Sequence, residues 1–247
     1  MCELFAMSAG HHYTAHEYLP PFADRARENI SGWGIGFFRN GQVHIEKSCE
    51  GIFTGDMMHD SFSRLARVID SRIILSHIRC PKSGHQKESH AQPINDWFLD
   101  HNWLFIFKGE SPKLLAYQSH RPIMREELLA ARVFEFVRDE MESGLANRPR
   151  QSLYQVMALG CKKLITNYPG RYTFFMANET VLFAFFNTDQ VLTYQDPTAV
   201  GELLLVTTVS GGLTDDQDNW SAFSQKDPAR GQVLIISGAD LLYQGHL

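Results

Sequence analysis

Cysteine is scarce in this chain. Cys2, Cys49, Cys80 and Cys161 are scattered over 247 residues and no two form a C-x-x-C pair, so neither a disulfide framework nor a cysteine zinc site is expected. Basic residues are outnumbered, 23 Lys and Arg against 28 Asp and Glu for a net charge of −5. No basic stripe is interleaved with aromatics, which argues against a nucleic-acid binder. No apolar run approaches the roughly 18–20 residues of a membrane-crossing helix. The first residues carry an acid at Glu3 and no basic segment, unlike a secretory signal, so the expected compartment is the cytoplasm. Linker-like Pro/Ser/Gly tracts and internal repeats are missing too, and one domain over residues 2–247 is expected. There is no G-x-x-x-x-G-K phosphate loop and no dinucleotide fingerprint, and nothing implies a cofactor. The histidines form no H-E-x-x-H pattern. His12 and His16 have the i, i+4 spacing of a helix but no Glu between them, so no metal site is expected.

What is present is a mixture of helical and extended patterns. Glu3 to Ala9 reads as a short buried strand. Trp33 to Phe38 and Val43 to Lys47 flank Arg39-Asn40-Gly41-Gln42, and an Asn-Gly pair between two apolar runs is a strong hairpin signal. Met57, Phe62, Leu65, Val68 and Ile69 have helical spacing and predict a helix over 56–69. Ile73 to Ile78 and Trp103 to Phe107 read as strands. Helices are predicted over about 124–142 and 151–166, then strands at Tyr172 to Met176, Val181 to Phe186, Leu203 to Thr208 and Val233 to Ser237. Strands, a central helical pair and strands again suggest two packed sheets with helices outside.

Cys2 is the residue with the most chemistry. Removal of Met1 would leave it with a free α-amine whose ordinary pKa is roughly 7.7–8.0. That amine can take the thiol proton and later return one to a leaving amine, so one residue supplies nucleophile and base. A Met-Cys start alone is commonly incidental, and a buried cysteine packs as a small hydrophobe. Gly32-Trp33-Gly34-Ile35-Gly36-Phe37 places glycines at alternate positions of a strand, which marks either close approach by a ligand or backbone, or a tight turn into a hairpin. Arg79 ends Ser76-His77-Ile78-Arg79, where its planar fork suits a carboxylate or a surface salt bridge.

Taken in order, these segments resemble the class II glutamine amidotransferase domain in its short, stand-alone form. Met-Cys-Glu-Leu-Phe-Ala-Met-Ser is similar to its opening strand, Gly32 to Phe37 to its Gly-Trp-Gly-Ile segment, and Ser76 to Arg79 to its His-x-Arg strand. Thr207 to Trp220 resembles its Ser-x-Pro-Leu-Thr-x-Asp stretch. The resemblance implies an α+β fold, the four-layer αββα sandwich of N-terminal-nucleophile hydrolases. It implies Cys2 as nucleophile, Arg79 as the carboxylate clamp and the Gly109 N–H as an oxyanion donor.

The departures cluster in the pocket. The family's Arg-x-x-Thr stands as Arg79-Cys80-Pro81-Lys82, its Asn-x-His-Pro-Phe as His90-Ala91-Gln92-Pro93-Ile94, and its His-Asn-Gly as Phe107-Lys108-Gly109. Its Thr-Asp-Ser-Glu, whose Asp holds the α-amine of glutamine, has only Ile123-Met124-Arg125-Glu126-Glu127 nearby in sequence. Lys108 then takes the oxyanion-Asn slot and His90 the Asn slot of the pocket wall, while Gly34 and Lys82 join Arg79 and His90 as expected substrate contacts. The expected reaction is hydrolysis of a glutamine-type or γ-glutamyl-type amide. Its ammonia either passes to an acceptor enzyme on another chain or is simply released. The alternative is a catalytically lapsed relative that binds a small carboxylate or a partner protein.

Overall fold

The computed structural model describes residues 2–25, 32–79, 88–123, 128–196, 203–209, 212–216 and 218–247. In chain order the first strands are β1 (Glu3–Tyr13), β2 (Trp33–Arg39), β3 (Gln42–Ser48), β4 (Phe53–Thr54), β5 (Met57–Met58), β6 (Ser71–Ile78), β7 (Ile94–Phe98) and β8 (His101–Glu110). After two helices come β9 (Arg171–Ala177), β10 (Leu182–Phe186), β11 (Gln190–Gln195), β12 (Leu203–Thr207), β13 (Trp220–Ser224), β14 (Gln232–Ser237) and β15 (Asp240–His246). The helices are α1 (Leu19–Asp24), α2 (Asp60–Val68), α3 (Leu129–Asn147) and α4 (Leu153–Asn167).

Among the described residues the strands form two antiparallel sheets, ordered β13-β11-β12-β1-β6-β2-β3 and β15-β14-β10-β9-β8-β7, beside a small β4-β5 ribbon. Side chains of a strand alternate between faces, and here both faces are covered. Leu4 and Ala6 of β1 point into an inter-sheet layer with Leu75, Leu104, Ile106, Phe175, Leu204 and Val206. Phe5 and Met7 point the other way, onto Phe22 of α1 and Phe62 of α2. On the far side of the second sheet, Phe105, Phe174 and Phe185 pack under Phe134, Val137 and Leu164 of α3 and α4. The result is the expected αββα sandwich, and burial on both faces explains why the strands read as nearly continuous apolar runs. Among the described residues no helix is long and apolar enough to cross a membrane.

Local signals account for several boundaries. Asn40 (φ 53°) and Gly41 (φ 72°) carry the positive φ pair that the twist of a two-residue hairpin loop favours. α4 starts with a reciprocal cap: Ser152 Oγ accepts from Gln155 N at 3.3 Å, and Gln155 Oε1 accepts from Ser152 N at 3.1 Å.

Other expectations need correction. The helix expected from residue 56 starts only at Asp60, because Gly55 (φ 62°) turns the preceding residues into the β4-β5 ribbon. Met57 and Val68 are 74% and 63% exposed rather than core. His12 lies in β1, which runs to Tyr13 and not to Ala9, so His12 and His16 share no helix. The helix placed at 124–142 runs Leu129–Asn147, with 124–127 outside the described residues. β7, β11, β13, β15 and α1 carried no recognised sequence signal.

Candidate active site

The register of the first sheet defines the end at which Cys2 lies. On β6, Ile78 faces Glu3 and His77 faces Leu4. On the other side, Ile78 faces Trp33 and His77 faces Gly34 of β2. One further step of the antiparallel register sets Cys2 opposite Arg79. The Arg79 N–H donates to Gly32 O at 2.9 Å, which carries the β6–β2 pairing one row past Ile78 and Trp33. Residues directly opposite in such a pair have Cα atoms about 4.5–5.5 Å apart. Cys2 has the parity of Leu4 and Ala6, and Arg79 that of Ile73 and Leu75, so both belong to the inter-sheet face. The start of β1 is held from the other side by β12. Leu4 N donates to Thr208 Oγ1 at 3.0 Å, Thr207 Oγ1 donates to Leu4 O at 2.9 Å, and Thr208 N donates to Leu4 O at 3.0 Å.

The second sheet contributes Lys108, on the same inward face of β8 as Leu104 and Ile106. Its side chain is 10% exposed, and Nζ lies 3.8 Å from Glu3 Oε2 and 3.8 Å from Asp189 Oδ2. Thr208 Oγ1 donates to Glu3 at 2.7 Å, and Thr173 Oγ1 donates to Asp189 at 2.7 Å. Burial pushes the Glu3 carboxyl above its ordinary pKa, and Lys108 and Thr208 partly offset that. Lys108 therefore faces two carboxylates. This network joins residues 3, 108, 173, 189 and 208, which no local pattern in the sequence connects.

Gly34 and Gly109 are both places where backbones meet. A Cβ at Gly34 would overlap the carbonyl oxygen of Gln92, so the group that approaches Gly34 closely is the backbone before the cis Gln92–Pro93 bond. Gly109 has φ 154°, and a Cβ there would overlap the carbonyl oxygen of Arg171. Gln92, missed in the sequence, pins its segment to β8: its Oε1 accepts from Phe107 N at 2.6 Å and its Nε2 donates to Phe107 O at 3.1 Å. A buried Gln saturating one residue's backbone N–H and C=O fixes the strand just before Lys108 and Gly109. His90 is half-buried at the end of the 3-10 turn Glu88–His90, two residues ahead. Lys82 lies outside the described residues. Lys47 lies opposite Gly34 on β3. Burial lowers its pKa while Glu88 raises it.

His77 occupies the row between Cys2 and the apolar layer. It is 1% exposed, and neither ring nitrogen has a hydrogen-bond partner among the described residues. Burial, then the positive charges of Arg79 and Lys108, pull its pKa down to about 3, so the ring is neutral. A second titratable cluster, His120, Asp139 and Glu142, brings three ligand atoms within 4.8 Å of one another. Asp139 there accepts from Arg138 at 2.8 Å and from Tyr117 at 2.8 Å, and Arg121 approaches Glu142 at 3.4 Å, so guanidinium groups already take the place of a cation.

Comparison with known proteins bears on the family and the fold. The family model described as glutamine amidotransferases class-II matches residues 1–208. No curated protein matches the sequence. A predicted glutamine amidotransferase from Pseudomonas aeruginosa is 17% identical, with a TM-score of 0.59 over 98% of this chain and 100% of that one. The glutamine phosphoribosylpyrophosphate amidotransferase from B. subtilis is 11% identical, with a TM-score of 0.60 over 100% of this chain and 49% of that one. A class-II domain protein from Silicibacter pomeroyi is 11% identical, with a TM-score of 0.58 over 100% of this chain and 98% of that one. At these identities the likeness speaks for the fold, the αββα sandwich of N-terminal-nucleophile hydrolases.

Proposed function

This chain belongs to the class II glutamine amidotransferase family, and we propose that it hydrolyses a glutamine-type or γ-glutamyl-type amide in the cytoplasm through the Cys2 thiolate. The observation that carries the reading is the register of β1 and β6, whose terminal pair Glu3–Ile78 leaves Cys2 and Arg79 as the next residues of the two chains at one end of the sheet. Once Met1 is removed, the Cys2 α-amine takes the thiol proton. The thiolate attacks the carboxamide carbon, and the same amine returns a proton to the departing ammonia. Water then cleaves the thioester. Arg79 holds the substrate carboxylate with its planar fork, and the Gly109 N–H faces the developing oxyanion. Lys82 and His90 are the further substrate contacts of this reading. The working unit spans residues 2–247, and the ammonia is released or passed to an acceptor enzyme on another chain.

The family's Asp for the α-amine of glutamine has no counterpart recognised in the sequence, whereas Arg79 brings a guanidinium to the end of the sheet where Cys2 lies. The favoured substrate therefore carries a carboxylate but no free α-ammonium, as in an N-acylated glutamine or a γ-linked derivative. Ammonia release from N-acetylglutamine by the Met1-processed chain is expected to exceed that from glutamine by at least about tenfold, the effect of one lost charge-assisted contact. Equal turnover of the two contradicts this choice of substrate. One observation favours the second reading, a lapsed enzyme that binds a carboxylate: Lys108, in the place of the oxyanion Asn, is ion-paired to Glu3 and Asp189. On that reading both amides are inert and N-acetylglutamine still binds.

A further inference from the structure

The row next to Cys2 in the first sheet holds a polar group to which the mechanism above assigns no task. His77 is buried, its two ring nitrogens lack partners among the described residues, and an unpaired buried donor is destabilising. Such a group calls for an explanation outside the free protein. Its cross-strand neighbours, Leu4 and Gly34, have no polar side chains to offer it. It shares the inter-sheet face with Cys2 and sits diagonally across from it, a relation that puts Cα atoms about 7–8 Å apart. Arg79 and Lys108 flank it and, with burial, hold it neutral. One ring nitrogen therefore carries a hydrogen with no competing acceptor. Lys108, by contrast, already faces Glu3 and Asp189 at 3.8 Å each.

We propose that His77 donates a hydrogen bond to the carbonyl oxygen of the amide attacked by Cys2, as the second oxyanion donor beside the Gly109 N–H. The inference rests on the reading of Cys2 as nucleophile. In the attack the Cys2 Sγ–C bond forms, the C=O π pair moves onto oxygen, and the thiol proton goes to the Cys2 α-amine. His77 keeps its own proton and shares it with that oxygen.

The test uses the full chain after removal of Met1 and the γ-aldehyde analogue of N-acetylglutamine. The Cys2 thiol adds across the aldehyde, so that an S–C bond forms and the thiol hydrogen ends on the former carbonyl oxygen. Intact-mass titration under native conditions gives the adduct affinity. His77→Leu is expected to bind about 100-fold more weakly or worse, whereas His77→Gln, which retains an N–H donor, stays within about tenfold of the parent. The thermal midpoint of His77→Leu is expected to be unchanged or raised, since an unpaired polar group has been removed. In the parent protein the protonated ring nitrogen of His77 shifts in ¹⁵N-edited spectra when the adduct forms. Equal affinity in all three proteins overturns the proposal, as does an imidazole spectrum blind to the adduct. An aldehyde adduct missing from a protein whose Cys2 is alkylated by diazo-oxo-norleucine overturns it and leaves Cys2 as nucleophile. A protein modified by neither reagent overturns the reading of Cys2 and the inference together.

Discussion

The inter-sheet layer has two ends built on the same strands, and they differ in kind. Toward the middle, Leu75, Ile106, Phe175, Val206 and Ile45 meet in an apolar layer. Two residues along each of those chains, on the same face, stand His77, Lys108, Thr173, Thr208 and Lys47. Backbone geometry is thus set by the apolar half, and the chemistry is grafted onto its rim without a change of strand or register. A polar rim of this kind is stable only if its groups are paired or neutral. Glu3, Lys108, Asp189, Thr173 and Thr208 pair with one another, and His77 stays uncharged.

The sharpest way to break the comparison is to empty the apolar half. Phe175→Ala removes a fully buried ring between the sheets and is expected to cost about 3–5 kcal/mol in urea denaturation. If the polar rim rather than the apolar layer held the sheets together, the loss would be well under 2 kcal/mol, on the order of a surface substitution. The rim has its own signature, in pH. The folded-state pKa of His77, about 3, lies below its ordinary 6.5, so the unfolded chain takes up the proton first. Stability is therefore complete above pH 6.5 and falls as the pH drops toward 3. His77→Gln lacks this step, and near pH 4 it is expected to gain roughly 2–3 kcal/mol on the parent, relative to their difference at pH 8. Parallel stability curves for the two proteins would contradict a buried neutral imidazole. A smaller effect, about 1–3 kcal/mol, is expected for Gly34→Ala, whose methyl group would displace the Gln92 carbonyl. Proteolysis or hydrogen exchange should place the loosening in the segment from His90 to Pro93.

The part of this legible in the sequence was the part encoded locally. Asn40-Gly41 named its hairpin, apolar runs named most inner strands, and Cys2 and Arg79 could each be singled out because short motifs surround them. Edge strands β13 and β15, largely exposed and short of apolar alternation, left no such trace. Neither did the β4-β5 ribbon, where Met57 continues a helical spacing that Gly55 interrupts. The rim was largely illegible. The Lys108 contacts to Glu3 and Asp189 span 105 and 81 positions, and Gln92 reaches Phe107 across a β-turnback, so only the folded register reveals them. Gly34 shows the limit from the other side: its spacing signalled a close approach, but not that the approaching atom is the Gln92 carbonyl.

The central claim is that Cys2, at the end of the first sheet, is a nucleophile once Met1 is removed. Intact-mass spectrometry of the processed chain, before and after treatment with diazo-oxo-norleucine, tests it most directly. The account predicts a single adduct, absent from Cys2→Ala and blocked by excess N-acetylglutamine. A processed protein that gains no mass, or gains the same mass when Cys2 is alanine, would contradict it.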